Sequence, residues 1–223
     1  MRPAVAAPPP VEQISLSPSG LQFAFVAVVG EQRTLIAMTA DGKSPLFATS
    51  IGPAKVVDVR WVGEDFILMN VFHTVALGIG FDVTKAKSAT VVSINLKARK
   101  SISIFENHFQ ALNLVEWIKG GAEIGGNWCS YFAGITCVAE KGPNTRFLDP
   151  MSPDLYRVDL DSGAVDTVAH ASDQSLDWLV GRDGRVIART PYDQRSDAWK
   201  VRMAASADVS WPAKNRPSRR WAA

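Results

Sequence analysis

One motif occurs three times in this chain and confines it to a narrow set of folds. The stretch from Asp154 to Ala169 reads DLYRVDLDSGAVDTVA: an alternating run, a D-S-G turn, and a second alternating run. LIAMTADGKSPLF begins the same pattern at Leu35, and VVSINLKARKSISIF does so at Val91. In register, one face carries Ile36, Met38 and Ala40 in the first copy, and Val92, Ile94 and Leu96 in the second. The third copy has Tyr156, Val158 and Leu160 on that face. A period of two puts every second side chain on one side of a pleated strand, so each copy predicts a half-buried strand. Asp41-Gly42 and Asp161-Ser162-Gly163 tolerate the positive φ of a tight turn, and Lys97-Ala98-Arg99-Lys100 is a weaker turn in the same place.

A second element alternates with the hairpins. Ser17-Pro18-Ser19-Gly20 precedes FAFVAVV, and Trp61-Val62-Gly63-Glu64-Asp65 precedes FILMNVF. Trp117-Ile118-Lys119-Gly120-Gly121 occupies the next slot, and the run from Trp178 to Gly184 precedes VIARTPY. Turn-strand and hairpin therefore repeat in order. Units of this length, each holding about four short strands, are blades of a β-propeller. The fold class this predicts is all-β: a partial β-propeller of roughly three to four blades of four-stranded antiparallel sheet. A β-sandwich would also alternate, but it gives no reason for that order to recur.

The extra length of the second and third units is read as insertions, at about Thr74–Ala89 and Glu123–Ser152. Phe109–Ile118 is the best helical candidate and reads equally well as a strand with a lead-in. Trp199, Val201 and Met203 begin the third strand of a fourth blade, after which AASADVSWPAKNRPSRRWAA shows no alternation and no return strand. The expected organisation is an Ala/Pro-rich spacer at 1–12, an incomplete propeller domain at 13–203, and an irregular basic tail at 204–223.

Composition sets the outer limits. With 223 residues, 47% apolar and 21% charged, the chain has the make-up of an ordinary globular protein. The net charge of +2 comes from Lys214, Arg216, Arg219 and Arg220, since the remainder holds 20 basic against 22 acidic residues. No basic face points to nucleic acid, and four basic residues in a tail are a weak footprint. The longest uncharged run, Phe66–Phe81, is 16 residues and falls short of the roughly 20 that a spanning helix needs, so no membrane span is expected. MRPAVAAPPPVEQ has no apolar h-region and is not a signal peptide as written, although it has the make-up of a spacer that often follows a removed one.

Little chemistry is legible. Cys129 and Cys137 are too far apart for a C-x-x-C half-site, so two buried free thiols are expected, with a local disulfide as the alternative. His73, His108 and His170 share no metal-ligand spacing. No G-x-S-x-G occurs; Gly42-Lys43-Ser44-Pro45-Leu46 comes nearest, and Ser44 reads as a turn serine. Asp154, Asp159, Asp161 and Asp166 suit the wet face and turn of a hairpin and miss the order of a calcium loop. Gly120-Gly121 and Gly125-Gly126 match no phosphate-cradling motif. Trp61, Trp117 and Trp178 recur at one repeat position, as packing between blades would require. The residues thus nominate no catalytic, cofactor-binding or metal-binding set, and the substrate-binding residues stay unknown.

Several segments carry a family resemblance: VEQISLSPSGLQFAFVAV, VVDVRWVGEDFILMNV, DLYRVDLDSGAVDTVA, DWLVGRDGRVIARTPYD and DAWKVRM. Together they resemble the N-terminal β-propeller of bacterial serine peptidases of the prolyl oligopeptidase family, of the acylaminoacyl-peptidase and dipeptidyl-aminopeptidase types. The resemblance covers about residues 11–203 and is thin between Thr74 and Met151. It implies a noncatalytic propeller that gates access of small peptides to an α/β-hydrolase domain, whose Ser, Asp and His lie C-terminal to the propeller and have no counterpart here. On that reading the chain alone is not an enzyme, and its partners are peptides or a separate hydrolase domain. It also implies export, in line with the Ala/Pro-rich start. A stand-alone propeller used as a protein-interaction scaffold is the alternative, and open propeller edges make self-association an expectation under either reading.

Overall fold

The computed structural model describes residues 10–29, 31–76, 85–106, 108, 111–139, 146–148, 153–170, 175–193, 198–204 and 209–212. These contain strands and turns and no helix. The chain divides into two compact units. One is Met1–Glu106 together with Leu160–Gly163, and the other is Asn107–Asp159 together with Ala164–Ala223.

The first unit holds two antiparallel sheets. In the first, β1 (Val11–Leu16), β2 (Gln22–Val29), β3 (Gln32–Thr39) and β4 (Pro45–Gly52) pair in chain order. In the second, β5 (Lys55–Val62), β6 (Phe66–Ala76), β7 (Lys85–Asn95) and β8 (Lys100–Ser103) do the same. The first two hairpin motifs are β3–β4 and β7–β8. At the first, Gly42 takes φ 70°, and Asp41 Oδ1 accepts from Thr39 Oγ1 and from the Lys43 amide. At the second, Arg99 stands at φ 52° where the other copies have glycine, so the turn that reads as weaker does use a strained residue. Ala24, Val26, Leu35 and Ala37 of the first sheet pack into one cluster with Val56, Val59, Ile67, Met69 and Ile94 of the second.

Of the expected insertion at Thr74–Ala89, residues 74–76 and 85–89 add strand length to β6 and β7, and 77–84 lie outside the described residues. The β6–β7 ladder runs unbroken from Phe66 opposite Asn95 to Ala76 opposite Lys85. Its flanking strands are shorter: β5 reaches only Phe72, and β8 pairs only with Val92–Asn95.

The second unit holds the other two sheets. The third is built from β9 (Ala111–Ile124), β10 (Asn127–Ala139), β12 (Asp154–Asp159) and β13 (Val165–Ala169), with β11 (Arg146–Leu148) pairing the far end of β10. The fourth is β14 (Ser175–Val180), β15 (Val186–Asp193), β16 (Ala198–Met203) and β17 (Val209–Pro212). Tyr131 of β10, Leu155 of β12 and Trp178 of β14 share a core with Ala122 and Ala133.

Four expectations change here. Asn127–Ala139 belongs to no insertion: it is the central β10, with Cys129 to Gly134 buried, and covering both faces removes the alternation that marks a strand in sequence. Trp117–Gly121 is no turn, because it lies within β9; the turn is Gly125-Gly126, at φ 61° and 88°. The helical alternative for Phe109–Ile118 gives way to β9, which starts at Ala111. The return strand missing from the fourth unit exists as β17, where Val209 faces Val201 and Trp211 faces Trp199 inside the segment that reads as tail.

The cysteines are also placed. Cys129 is a buried free thiol, pushed above the ordinary range chiefly by burial and further by the Asp159 charge. Cys137 lies eight residues further along the same strand, so their α-carbons are about 26 Å apart at roughly 3.3 Å per residue. A disulfide spans at most about 7 Å, which excludes the local bridge.

Candidate functional site

The tryptophans bind neighbouring sheets together. Trp61 of β5 donates its indole N–H to the Ser15 carbonyl of β1 at 3.1 Å. Trp178 of β14, 6% exposed, donates its own to the Pro153 carbonyl just before β12, also at 3.1 Å. Both rings also pack into the clusters that join their sheets. Trp117 sits mid-strand in β9, outside that repeat position, and its side chain is beyond the described residues.

Polar groups at the strand ends are spent on similar links. In the first unit the Glu64 carboxylate, in the turn after β5, accepts from the Ser19 amide at 2.7 Å and the Ser19 hydroxyl at 2.8 Å. Burial alone would raise the Glu64 carboxyl, but hydrogen bonds from the Ser19 and Ser17 hydroxyls and the Ser19 amide outweigh it and hold the group below the usual glutamate range. A carboxyl depressed by folding adds stability above its unfolded pKa of about 4.3, and that stability is lost as pH falls through the folded value. Glu64→Gln is therefore expected to lower stability by about 1 kcal/mol at pH 7 and to leave the urea midpoint less steep in pH below about 4.5. Identical pH profiles for the two proteins would show that the carboxylate link contributes nothing.

In the second unit Lys119 of β9, its side chain 7% exposed, meets Asp177 Oδ1 of β14 at 2.5 Å. The same oxygen accepts the Trp178 amide at 2.8 Å. Asp154 is buried at the start of β12, and its Oδ2 lies 3.1 Å from Nδ1 of His170, just past the end of β13. No sequence motif marks this pair, and it depends on a register shift: from Val158 opposite Val165 the ladder slips by one between Tyr156 and Leu155, so that Leu155 faces Ala169 and Asp154 comes beside His170.

The Asp154–His170 contact has the geometry by which a carboxylate orients an imidazole, with the His170 side chain 81% exposed. Acyl transfer also needs a nucleophile in reach. The hydroxyl of Ser130 donates to the Gly120 carbonyl and that of Ser19 to Glu64, while Ser44 lies in the β3–β4 turn with its amide donating to Thr39 Oγ1. His108 packs edge-on to Tyr156 at 5.9 Å. His73 faces Ser88 in the long β6–β7 ladder, and its side chain is beyond the described residues. Asp159 accepts from Asn127, and Asp166 pairs with Arg157 at 2.6 Å. Among the described residues no group of three or more His, Cys, Asp or Glu is arranged to hold a metal, and no helix is long and apolar enough to cross a membrane.

The architecture has counterparts among solved structures. An uncharacterized protein, lmo1340 from Listeria monocytogenes, superposes with a TM-score of 0.54 at 11% identity, over 92% of this chain and 53% of that one. An ACO/RPE65 chimera gives 0.52 at 13% identity, over 93% and 50%. Acylaminoacyl peptidase in complex with Z-Gly-Gly-Phe-chloromethyl ketone gives 0.35 at 12% identity, over 86% and 37%, an overlap too low to decide a family. The chain thus spans about half the length of the structures it matches above 0.5. No family model matches it, and the comparison with curated proteins finds no match. Four antiparallel sheets, each built from strands taken in succession along the chain, define the class: an all-β, partial β-propeller.

Proposed function

We propose that residues 1–223 form the noncatalytic, substrate-gating propeller portion of a prolyl oligopeptidase-like serine peptidase, acting with an α/β-hydrolase domain that lies outside them. One observation carries this reading. The segments that bear the family resemblance are successive elements of adjoining sheets: DLYRVD is β12, VDTVA is β13, and the Trp178 strand that follows is β14. A propeller wall selects a peptide by size and contact and leaves the cutting to the hydrolase. The second reading, an interaction scaffold, is favoured by exposed apolar side chains on β1, where Ile14 and Leu16 face solvent.

Purified residues 1–223 are expected neither to hydrolyse peptide or ester substrates nor to take a fluorophosphonate label, while binding fluorescent oligopeptides in preference to a folded protein. Stoichiometric labelling of one serine, lost on replacing His73, His108 or His170, would overturn the noncatalytic assignment. Absence of oligopeptide binding would favour the scaffold.

A further inference from the structure

One edge strand differs from all the others. Among the described residues, no strand pairs with the free side of β4, the outer edge of the first sheet. An open edge presents unpaired N–H and C=O groups that can add a strand from another chain, and charge, proline or short length is the usual guard. The other edges are guarded. On the outer side, β8 has four residues and Lys100, β13 has five and Asp166, and β17 has four and ends at Pro212. The remaining edge strands β1, β5, β9, β11 and β14 each hold at least one charged residue. β4 reads PLFATSIG, eight residues without a charge. Its proline comes first, outside the stretch where the ladder with β3 is regular: Ala37, Ile36, Leu35 and Thr34 face Phe47, Ala48, Thr49 and Ser50 in turn.

We propose that β4 pairs with itself. The β4 strand of one copy lies antiparallel to the β4 strand of a second copy, about a two-fold axis at Thr49, and joins two first sheets into one. Two properties of the strand select this occupant. A strand that meets its own copy tolerates charge poorly, because like charges directly opposite are destabilising, and β4 has none. The strand is also complementary to itself. Facing residues of an antiparallel pair lie on the same side of the sheet, so a two-fold pairing must centre on a residue. Centred on Thr49, it sets Phe47 against Ile51, both partly buried against the core of the first unit, and Ala48 against Ser50, both exposed. An aromatic ring opposite a β-branched side chain is a favourable cross-strand pair. Centring on Ala48 would lose it, setting Phe47 against Thr49 and bringing Pro45 into the ladder. The contact is small. Residues 46–52 at roughly 3.3 Å each give an edge about 23 Å long and one strand deep, well short of the ~800 Å² per partner of a stable interface. The pair is therefore reversible and forms at high concentration. It involves the first unit alone and does not rest on the peptidase reading.

The test is sedimentation equilibrium on the full chain and on two variants changed at the exposed positions. Wild type should move from the 24.2 kDa chain mass toward twice that value between about 1 μM and 1 mM. Ala48→Lys/Ser50→Glu sets a lysine against a glutamate twice across the axis and should tighten the pair about threefold or more. Ala48→Glu/Ser50→Glu sets glutamate against glutamate twice and should weaken it by about the same factor or more. Circular dichroism of both variants should match wild type, which separates pairing from folding. Three results would overturn the proposal: a wild type monomeric at every concentration, two variants of equal affinity, or a Lys/Glu variant that pairs more weakly than wild type. The first would leave the β4 edge unused by a second copy. The second would place the contact on another surface, and the third would mean that Ala48 meets its own copy.

Discussion

Gly184→Val is expected to destabilise the second unit by about 3 kcal/mol, enough to move its urea midpoint well clear of wild type. Two costs add. Gly184 holds φ at 77°, where a β-branched residue is strongly disfavoured. A Cβ there would also collide with the Tyr131 hydroxyl and would sit 2.9 Å from Ile124 Cδ1. Tyr131 is 1% exposed and anchors the core between the third and fourth sheets, so it has little room to yield. Gly184→Ala is the milder probe. Adding Tyr131→Phe to it should recover the hydroxyl's share of the collision and leave the Ile124 contact and the backbone part, a coupling that a double-mutant cycle reads directly. Tryptophan fluorescence during urea unfolding gives all four stabilities. A Gly184→Val protein with an unchanged midpoint would contradict the close approach of this turn to Tyr131.

Asp177→Ala should cost a similar amount, about 3 kcal/mol, for a different reason. It strips the counter-charge from Lys119, whose side chain is 7% exposed, and removes the acceptor for the Trp178 amide. An ammonium left unpaired in that position cannot recover its hydration without opening the contact between β9 and β14. Replacing both partners by apolar residues of similar length, Lys119→Met with Asp177→Leu, removes the charge problem and should return stability to within about 1 kcal/mol of wild type. The double variant is the decisive measurement. If it is as unstable as Asp177→Ala, the cost lies in the lost Trp178 cap and the shape of the site, and the buried charge is a minor part.

The parts of the fold that are legible in the sequence are hairpins with a recognisable turn and an outer strand that keeps exposed positions. In β4, β8 and β13 exposed residues are interspersed with partly buried ones. Their partners β7 and β12 are buried on both faces over Val91–Ile94 and Leu155–Tyr156 and are found through the turns that follow them. β10 is buried on both sides over Cys129–Gly134, and an apolar run without alternation gives no period to find. β17 fails for another reason, since four residues are too short for a pattern. Gly120-Gly121 misleads because glycine serves two purposes. At Gly120 an added Cβ would meet Val180 at an ordinary 3.6 Å, so the glycine answers to the backbone φ of 152° within β9 and makes no turn. The Asp154–His170 pair is not within reach of the sequence. The register set at the turn, Val158 opposite Val165, carries Asp154 to Ala169, and only the shift between Leu155 and Tyr156 brings His170 opposite it.

Each sheet is built from strands close together in sequence, and this bears on how the protein acquires its structure. The ladders close mainly over short loops, so contact order is low for an all-β chain, and each sheet can assemble before its neighbour exists. Stability then accumulates as in a linear array, with a contribution from each sheet and a coupling between adjacent sheets. Losing a terminal sheet from such an array subtracts one contribution and one coupling and spares the remaining sheets. Duplication or deletion of a whole sheet is therefore the change in length that this architecture tolerates best.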